Sequence, residues 1–362
     1  MEHIAYSIGQ FFEDVSKSEG IICYGVGKRF RLFEEYLGGT TAGEKVLFCV
    51  DDDRSKQGKP VSFAGRQLDV YPIEALTESR GKNRMLLITN YRFDKARKFL
   101  EERGLLEGME YWYLSLVLGA LLEDWAVRQE IPEDCRMTPE PVIPKVIHYC
   151  WFGRNPLPDR YQKWMESWRR FCPDYEIKEW NEDNYDITKN DYMREAYESK
   201  KWGFVPDYAR LDIIYQYGGI YLDTDVELIK NLDDMLYQPA FMGFEDDKYV
   251  ALGLGFGAAA GLQEIRELRD CYDSLHFRDA DGGLNLMPAP RIQTEYLKRL
   301  GLRQNGEYQR VKNIVIYPGK MFSGKSPYNR RILLKPYTKS IHHYDASWLE
   351  EEERAFVTNI KL

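Results

Sequence analysis

The stretch from Val205 to Asp225, VPDYARLDIIYQYGGIYLDTD, constrains this chain more than any other. Apolar residues at 211, 214 and 215 recur at helical spacing, and Gly218-Gly219 ends that helix and turns the chain into a strand, Ile220-Tyr221-Leu222. The strand runs into Asp223-Thr224-Asp225. Asp207 and Arg210, three residues apart at the start of the helix, share one of its faces. Two carboxylates separated by one residue can approach one cation where the backbone leaves regular pleating, and hard oxygen ligands suit Mg²⁺ or Mn²⁺. An Asp-x-Asp is common on its own; its weight here comes from Asp207, Arg210 and the Gly-Gly-x-Tyr lead-in.

The first 118 residues have a different pattern. Gly20–Tyr24, Lys45–Val50 and Arg84–Thr89 are apolar runs separated by helical stretches, the first of them Lys28 to Leu37. Such alternation predicts a parallel sheet with crossover helices. The turn Gly25-Val26-Gly27 is half of a dinucleotide fingerprint, but the third glycine position is Phe30. Asp51 to Asp53 stands where an acidic residue would meet a ribose hydroxyl. A dinucleotide site and a purely structural module both remain open. On Gly25-Val26-Gly27-Lys28, the run Asp51 to Pro60, and Leu86-Leu87-Ile88-Thr89-Asn90, the segment resembles the small Rossmann-like domains attached to bacterial surface-polysaccharide enzymes. A helix from about Leu114 to Gln129 and then Pro132, Pro139, Pro141 and Pro144 mark a break. A chain of 362 residues suits two domains. The expected division is 1–118, a helical linker over 119–142, and a second domain over 143–362.

That second domain opens with the apolar run Ile143 to Gly153, which stops at Trp151-Phe152-Gly153. Ligands on open α/β sheets bind beyond the carboxyl ends of strands, so Trp151 is placed to stack on a base, the alternative being a core Trp capping the sheet. With Asp-x-x-Arg and Gly-Gly-x-Tyr-x-Asp-x-Asp quoted, residues 143 to 348 resemble the DXD-containing glycosyltransferases of family 32, relatives of yeast initiating mannosyltransferases, and more distantly the glucosyltransferase domains of large clostridial toxins. The resemblance implies an α/β chain with a GT-A fold following the Rossmann-like domain, a nucleotide-sugar donor, a divalent metal and retention of anomeric configuration. Carried over by position, Trp151 would stack on the nucleobase and Tyr221 would line the donor pocket. Asp207 and Arg210 would hold the donor sugar and its phosphate; Asp223 would meet ribose or metal, and Asp225 would ligate the metal. The sequence Ser340-Ile341-His342-His343-Tyr344-Asp345-Ala346-Ser347-Trp348 matches the ending of family members. Imidazole is a competent metal ligand, so His343 is the expected third ligand, with Asp345 close behind, and Ser347 and Trp348 would bond the diphosphate.

Three softer candidates are the small-residue run Gly253 to Ala260, the Gly- and Pro-punctuated loop Arg278 to Arg291 over an acceptor, and Lys320, Lys325 and Arg330 as phosphate contacts. For each, tight packing or solvated charge is an equal explanation.

A net charge of -8 argues against a nucleic-acid backbone as partner. The six cysteines include no Cys-x-x-Cys pair, which indicates neither a zinc knuckle nor a disulfide framework and fits reduced thiols in a cytoplasmic protein. The longest apolar stretch, Trp112 to Leu122, is short of a membrane span and predicts a buried helix, with peripheral contact at the inner membrane face as the second option. The expected function is transfer of a sugar from a UDP-sugar, or secondly GDP-mannose, to a glycan or lipid-linked glycan in surface polysaccharide synthesis. Its rivals are a nucleotide-sugar-binding protein without turnover and an aspartyl-phosphate phosphatase.

Overall fold

The computed structural model describes residues 7–245, 248–279 and 281–345. It divides into two compact units: the first spans the described residues to Asp124 together with Pro327–Arg331, and the second Trp125–Ser326 with the described residues from Ile332. The division falls within the helix Leu114–Arg128. Both units are mixed α/β with parallel strand pairs.

In the first unit a five-stranded parallel sheet runs, edge to edge, Val70–Tyr71, Val46–Val50, Gly20–Tyr24, Arg84–Ile88, Glu110–Tyr113. The central strand Gly20–Tyr24 is buried at every position, as a parallel strand covered on both faces requires. The helix expected over Lys28 to Leu37 forms with those bounds. Phe30, at the absent third glycine, is fully buried and packs on Phe63 with ring centroids 5.1 Å apart, so the position serves the core. Asp51 is also buried, its carboxylate accepting from the backbone N–H of Val26 and of Asp53, each at 2.9 Å. It ties the glycine turn to the next strand. Trp112 to Leu122 divides between the strand Glu110–Tyr113 and the following helix, and among the described residues no helix is long and apolar enough to cross a membrane.

The second unit holds a seven-stranded sheet in the order Gln309–Val311, Ile314–Tyr317, Ala240–Gly243, Phe256–Ala258, Gly219–Tyr221, Val146–Cys150, Glu176–Trp180. Phe256–Ala258 runs antiparallel to both its neighbours, whereas Gly219–Tyr221, Val146–Cys150 and Glu176–Trp180 are parallel. Alternation along the strands feeds two cores. Ile147, Tyr149, Ile220, Phe241 and Val315 join Trp168 and Phe322. Cys150, Tyr221, Met242, Ile314 and Ile316 join Leu211, Ile214 and Leu268. A separate antiparallel pair, Val226–Leu228 with Ser340–His342, sets His342 opposite Val226.

The helix Pro206–Tyr217 is buried continuously from Asp207 to Ile214. It packs against the sheet and the helices Asp191–Glu198 and Gln263–Asp270, so the Asp207 and Arg210 face is enclosed along with the apolar one. The turn after it needs glycine twice. Gly218 and Gly219 have φ of +66° and +100°, and a Cβ on Gly219 would stand 2.8 Å from Val146 O and 2.9 Å from His148 Nε2. His148 fixes this turn. Its Nδ1 lies 3.0 Å from Trp180 Nε1, which can only donate, so Nε2 carries the proton and donates to Gly218 O at 3.0 Å. Burial pushes this imidazole down to about 4, so it is neutral near pH 7.

Candidate functional site

The parallel pairing of Gly219–Tyr221 with Val146–Cys150 delivers the chain past Tyr221 at the carboxyl ends of both strands. Leu222 N still bonds His148 O at 3.0 Å, but Asp223 N bonds Gly253 O at 3.2 Å, and Val226 N closes a turn onto Asp223 O at 3.1 Å. This turn is the departure from pleating that lets Asp223 and Asp225 converge.

His342 completes the group. One ligand atom from each of Asp223, Asp225 and His342 lies within 4.8 Å of the others. His342 Nε2 is 3.1 Å from Asp225 Oδ1, while its Nδ1 is buried without a hydrogen-bond partner. Two carboxylates and one imidazole, partly buried and with one polar atom unsatisfied, form a donor set that fits Mn²⁺ or Mg²⁺. Of the adjoining histidines, the structure thus brings His342 to the aspartates in place of the expected His343. Successive residues of an extended strand point to opposite sides, so the two rings part, and Asp225, in the turn that precedes the strand Val226–Leu228, brings its carboxylate to His342. His343 faces away, with Nε2 2.8 Å from Glu227 Oε2 and its ring stacked on Trp164 at 4.2 Å between centroids. Asp345 also stays outside the group. Its backbone N–H donates to Asp225 Oδ2 at 2.9 Å, and its carboxylate accepts from Arg160 Nη2 at 2.6 Å and from the Tyr161 hydroxyl. Ser347 and Trp348 lie outside the described residues.

The electrostatics separate the two aspartates. Burial pushes the Asp223 carboxyl up, Arg210 opposing and Asp225 reinforcing it. Burial acts the same way on Asp225, but the charge and hydrogen bond of His342, with the Asp345 amide, overcome it and hold Asp225 at about 2. The His342 imidazole is raised correspondingly, burial opposing and Asp225 prevailing.

Arg210 links the acidic turn to the helix. Its Nη2 lies 3.1 Å from Asp207 Oδ1 and 3.7 Å from Asp223 Oδ1, Nε donates to Pro206 O at 3.1 Å, and the guanidinium carbon stands 5.1 Å from the Tyr221 ring centroid. Tyr221 is fully buried beneath it. Burial pushes Asp207 up to about 7 despite Arg210. Gly253 closes the group from the far side: a Cβ there would sit 2.2 Å from Asp223 Oδ2 and 3.2 Å from Arg210 Nη1.

Trp151 follows the strand Val146–Cys150, its Nε1 donating to Asn155 O at 2.7 Å and its ring edge-on to Tyr161 at 5.5 Å. Through Tyr161 and Asp345 it is three contacts from Asp225. Arg160 and Tyr161, which no spacing rule in the sequence singled out, hold Asp345 beside Asp225. Of the softer candidates, Phe256–Ala258 is a packed strand, with Gly257 against the Phe241 ring. Lys320 is buried with Nζ 3.3 Å from Ser323 O, and Lys325 Nζ lies 3.5 Å from His343 O.

Residues 158–242 match the family model described as the glycosyltransferase sugar-binding region containing DXD motif. The matched segment carries Asp207, Arg210 and the Asp223-Thr224-Asp225 turn. Over 142 residues the chain is 30% identical to inositol phosphoceramide mannosyltransferase 3 of Schizosaccharomyces pombe, covering 37% of this chain and 40% of that protein. Over 133 residues it is 26% identical to a mannosyl phosphorylinositol ceramide synthase of Saccharomyces cerevisiae, covering 36% and 34%. The chain thus spans about two fifths or less of the length of these curated relatives. A solved structure, the PaToxG glycosyltransferase, is similar at 16% identity and a TM-score of 0.36, over 57% of this chain and 80% of that one. The second unit is glycosyltransferase-like, and its curated relatives are mannosyltransferases, as the DXD resemblance implied.

Proposed function

We propose that the protein is a metal-dependent, retaining glycosyltransferase that moves a sugar from a nucleoside diphosphate donor to a glycan or lipid-linked glycan. The observation that carries this reading is the convergence of Asp223, Asp225 and His342 beside Arg210. In it residues 143–362 are a GT-A domain of the family 32 type, and residues 1–118 a Rossmann-like module. Parallel strands ending at the acidic turn support the first assignment, and the alternating sheet order the second.

Asp223, Asp225 and His342 would hold Mn²⁺ or Mg²⁺, and such a cation neutralises a leaving diphosphate. Arg210 is a guanidinium enclosed beside this turn and supplies a fixed positive charge that needs no reorganisation when the sugar–phosphate bond breaks. Asp207, on the same helical face, accepts hydroxyls of the donor sugar, Tyr221 floors the pocket and Trp151 stacks on the base. The departing phosphate oxygen lies on the face from which the acceptor approaches and takes the acceptor proton. UDP-sugars remain the first choice of donor, on the aromatic stacker Trp151. GDP-mannose gains support from the names of the relatives. The acceptor belongs to surface polysaccharide synthesis at the cytoplasmic side of the membrane.

Purified protein incubated with Mn²⁺ and a panel of UDP-sugars and GDP-mannose should transfer or hydrolyse one of them, and Asp225→Asn should lower that rate by a factor of at least ~100, the order of losing one preorganised charge contact. Binding without turnover in the wild type would identify a nucleotide-sugar-binding protein instead. Full activity in the variant would remove the metal reading.

A further inference from the structure

One face of the helix Asp159–Phe171 grips the antiparallel pair behind the acidic turn. Arg160, Tyr161, Ser167 and Trp168 share that face by their spacing. Toward its carboxyl end the helix holds the strand Val226–Leu228, Ser167 Oγ accepting from Leu228 N and Trp168 Nε1 donating to Val226 O, each at 2.8 Å. At its first turn it holds the chain just past the partner strand Ser340–His342. Arg160 Nη2 donates to Asp345 Oδ2 at 2.6 Å, and the Tyr161 hydroxyl donates to the same oxygen. Asp345 is buried, so this carboxylate is charged and enclosed beside two other aspartates, an arrangement that plain packing does not require.

Asp345 reaches Asp225 through the main chain. Its N–H donates to Asp225 Oδ2 at 2.9 Å, and the His343 N–H donates to Asp225 O at 2.9 Å. Between these two amides stands Tyr344, with φ of +52°, a left-handed conformation that a bulky side chain adopts only where its surroundings impose it. Two anchors impose it: the Tyr344 hydroxyl lies 2.6 Å from Ser323 Oγ, and the next residue is tied to Arg160 and Tyr161. The Asp225 carboxylate is thereby divided. Oδ2 is taken by the Asp345 amide, and Oδ1 stands 3.1 Å from His342 Nε2. The terminal torsion of an aspartate is broad, so without the bond to Oδ2 nothing of comparable length fixes where Oδ1 points except the imidazole that would share the cation.

We propose that Arg160 and Tyr161 are positioning residues for the cation, acting through Asp345 to keep Asp225 Oδ1 oriented with Asp223 and His342. The inference rests on the metal-binding reading given above. Groups that orient a ligating side chain set metal affinity by about 10- to 100-fold.

Mn²⁺ binding to the full chain without nucleotide, measured by titration calorimetry, tests it. Tyr161→Phe keeps the ring against Trp151 and Trp164 and removes the hydroxyl alone. Arg160→Gln removes the charge from a side chain that is 44% exposed, which keeps the test open if Tyr161→Phe disturbs folding. Each should raise the Kd for Mn²⁺ about tenfold, and Arg160→Lys, which keeps the cation, should recover most of the affinity. In Asp345→Asn, already weakened, adding Tyr161→Phe should change Kd little; an undiminished effect there refutes action through Asp345. The thermal midpoint in chelator separates positioning from general support. A lower metal-free midpoint with unchanged Kd marks a merely structural role and overturns the proposal. Wild-type binding with equal affinity in both single variants overturns the proposal alone, whereas a wild type that binds neither Mn²⁺ nor Mg²⁺ overturns the metal reading and the proposal with it.

Discussion

Acid should loosen the second unit at one identifiable point, His148. Its neutral ring accepts from Trp180 through Nδ1 and donates to Gly218 O through Nε2; a second proton on Nδ1 would face the Trp180 N–H, two donors meeting in a buried site. The ring is held at about 4 by burial, against an ordinary value of 6.5. Because the folded value lies below the unfolded one, the unfolded chain takes up the proton first, and stability is present above pH 6.5 and lost as pH falls toward 4. A gap of about 2.5 units corresponds to roughly 3 kcal/mol once both states are protonated, and linkage between the two values gives about 2 kcal/mol of that loss between pH 7 and pH 5. The turn held by His148 carries Gly218 and Gly219 into the strand that ends at the acidic turn, so the loss is felt at the site. Urea unfolding followed by tryptophan fluorescence at pH 7 and pH 5, in chelator, measures it. His148→Gln keeps an N–H toward Gly218 and cannot titrate. It should be less stable than wild type at pH 7 by about 1 kcal/mol, one neutral hydrogen bond, yet lose about 2 kcal/mol less on going to pH 5. Equal pH dependence in the two proteins would refute the reasoning.

Mn²⁺ at a hundredfold over its Kd should stabilise the protein by about 2.7 kcal/mol, and chelation should reverse this; His342→Ala should abolish the shift in thermal midpoint while His343→Ala retains it. Asp212 accepts from Tyr185, Lys189, Gln216 and Arg269 at 2.8, 3.0, 2.6 and 3.1 Å. Asp212→Ala strands those donors and should cost about 3 kcal/mol in urea unfolding, the low end for a broken buried pair because Lys189 is partly exposed. Trp151→Ala should weaken nucleoside diphosphate binding by about tenfold, read by titration calorimetry, the order of one base-stacking contact.

How much of this was legible depended on how local each feature is. The helix Lys28–Leu37, the strand Gly20–Tyr24 and the break at Gly218-Gly219 are written in short-range periodicity and in the two residues that tolerate positive φ. Asp207, Arg210, Asp223 and Asp225 could be grouped because a helix and one strand carry all four. For the third member of the acidic group the sequence pointed to His343, with Asp345 behind it, whereas the structure brings His342 there, since that depends on the pairing with Val226–Leu228 and on the turn carrying Asp225, long-range geometry that periodicity does not encode. Phe30 and Asp51, at the incomplete dinucleotide fingerprint, are used by the fold, one filling the core and the other bonding backbone amides, which accords with the structural alternative that the sequence left open there. Arg160 and Tyr161 had no signal, because what marks them is a partner far away in sequence.

The pairing that brings His342 to Asp225 also sets an order of events during synthesis. Asp345, whose amide bonds Asp225 Oδ2, is translated 120 residues after it. A nascent chain that has emerged as far as the Asp223–Asp225 turn therefore carries two acidic side chains with neither imidazole nor amide to organise them, and no strand to pair with Val226–Leu228. Closing so long a loop costs chain entropy before any contact is gained, which puts assembly of this corner late in folding. A message broken between the codons for Leu228 and Ser340 would yield a product with its DXD turn intact and its site unbuilt.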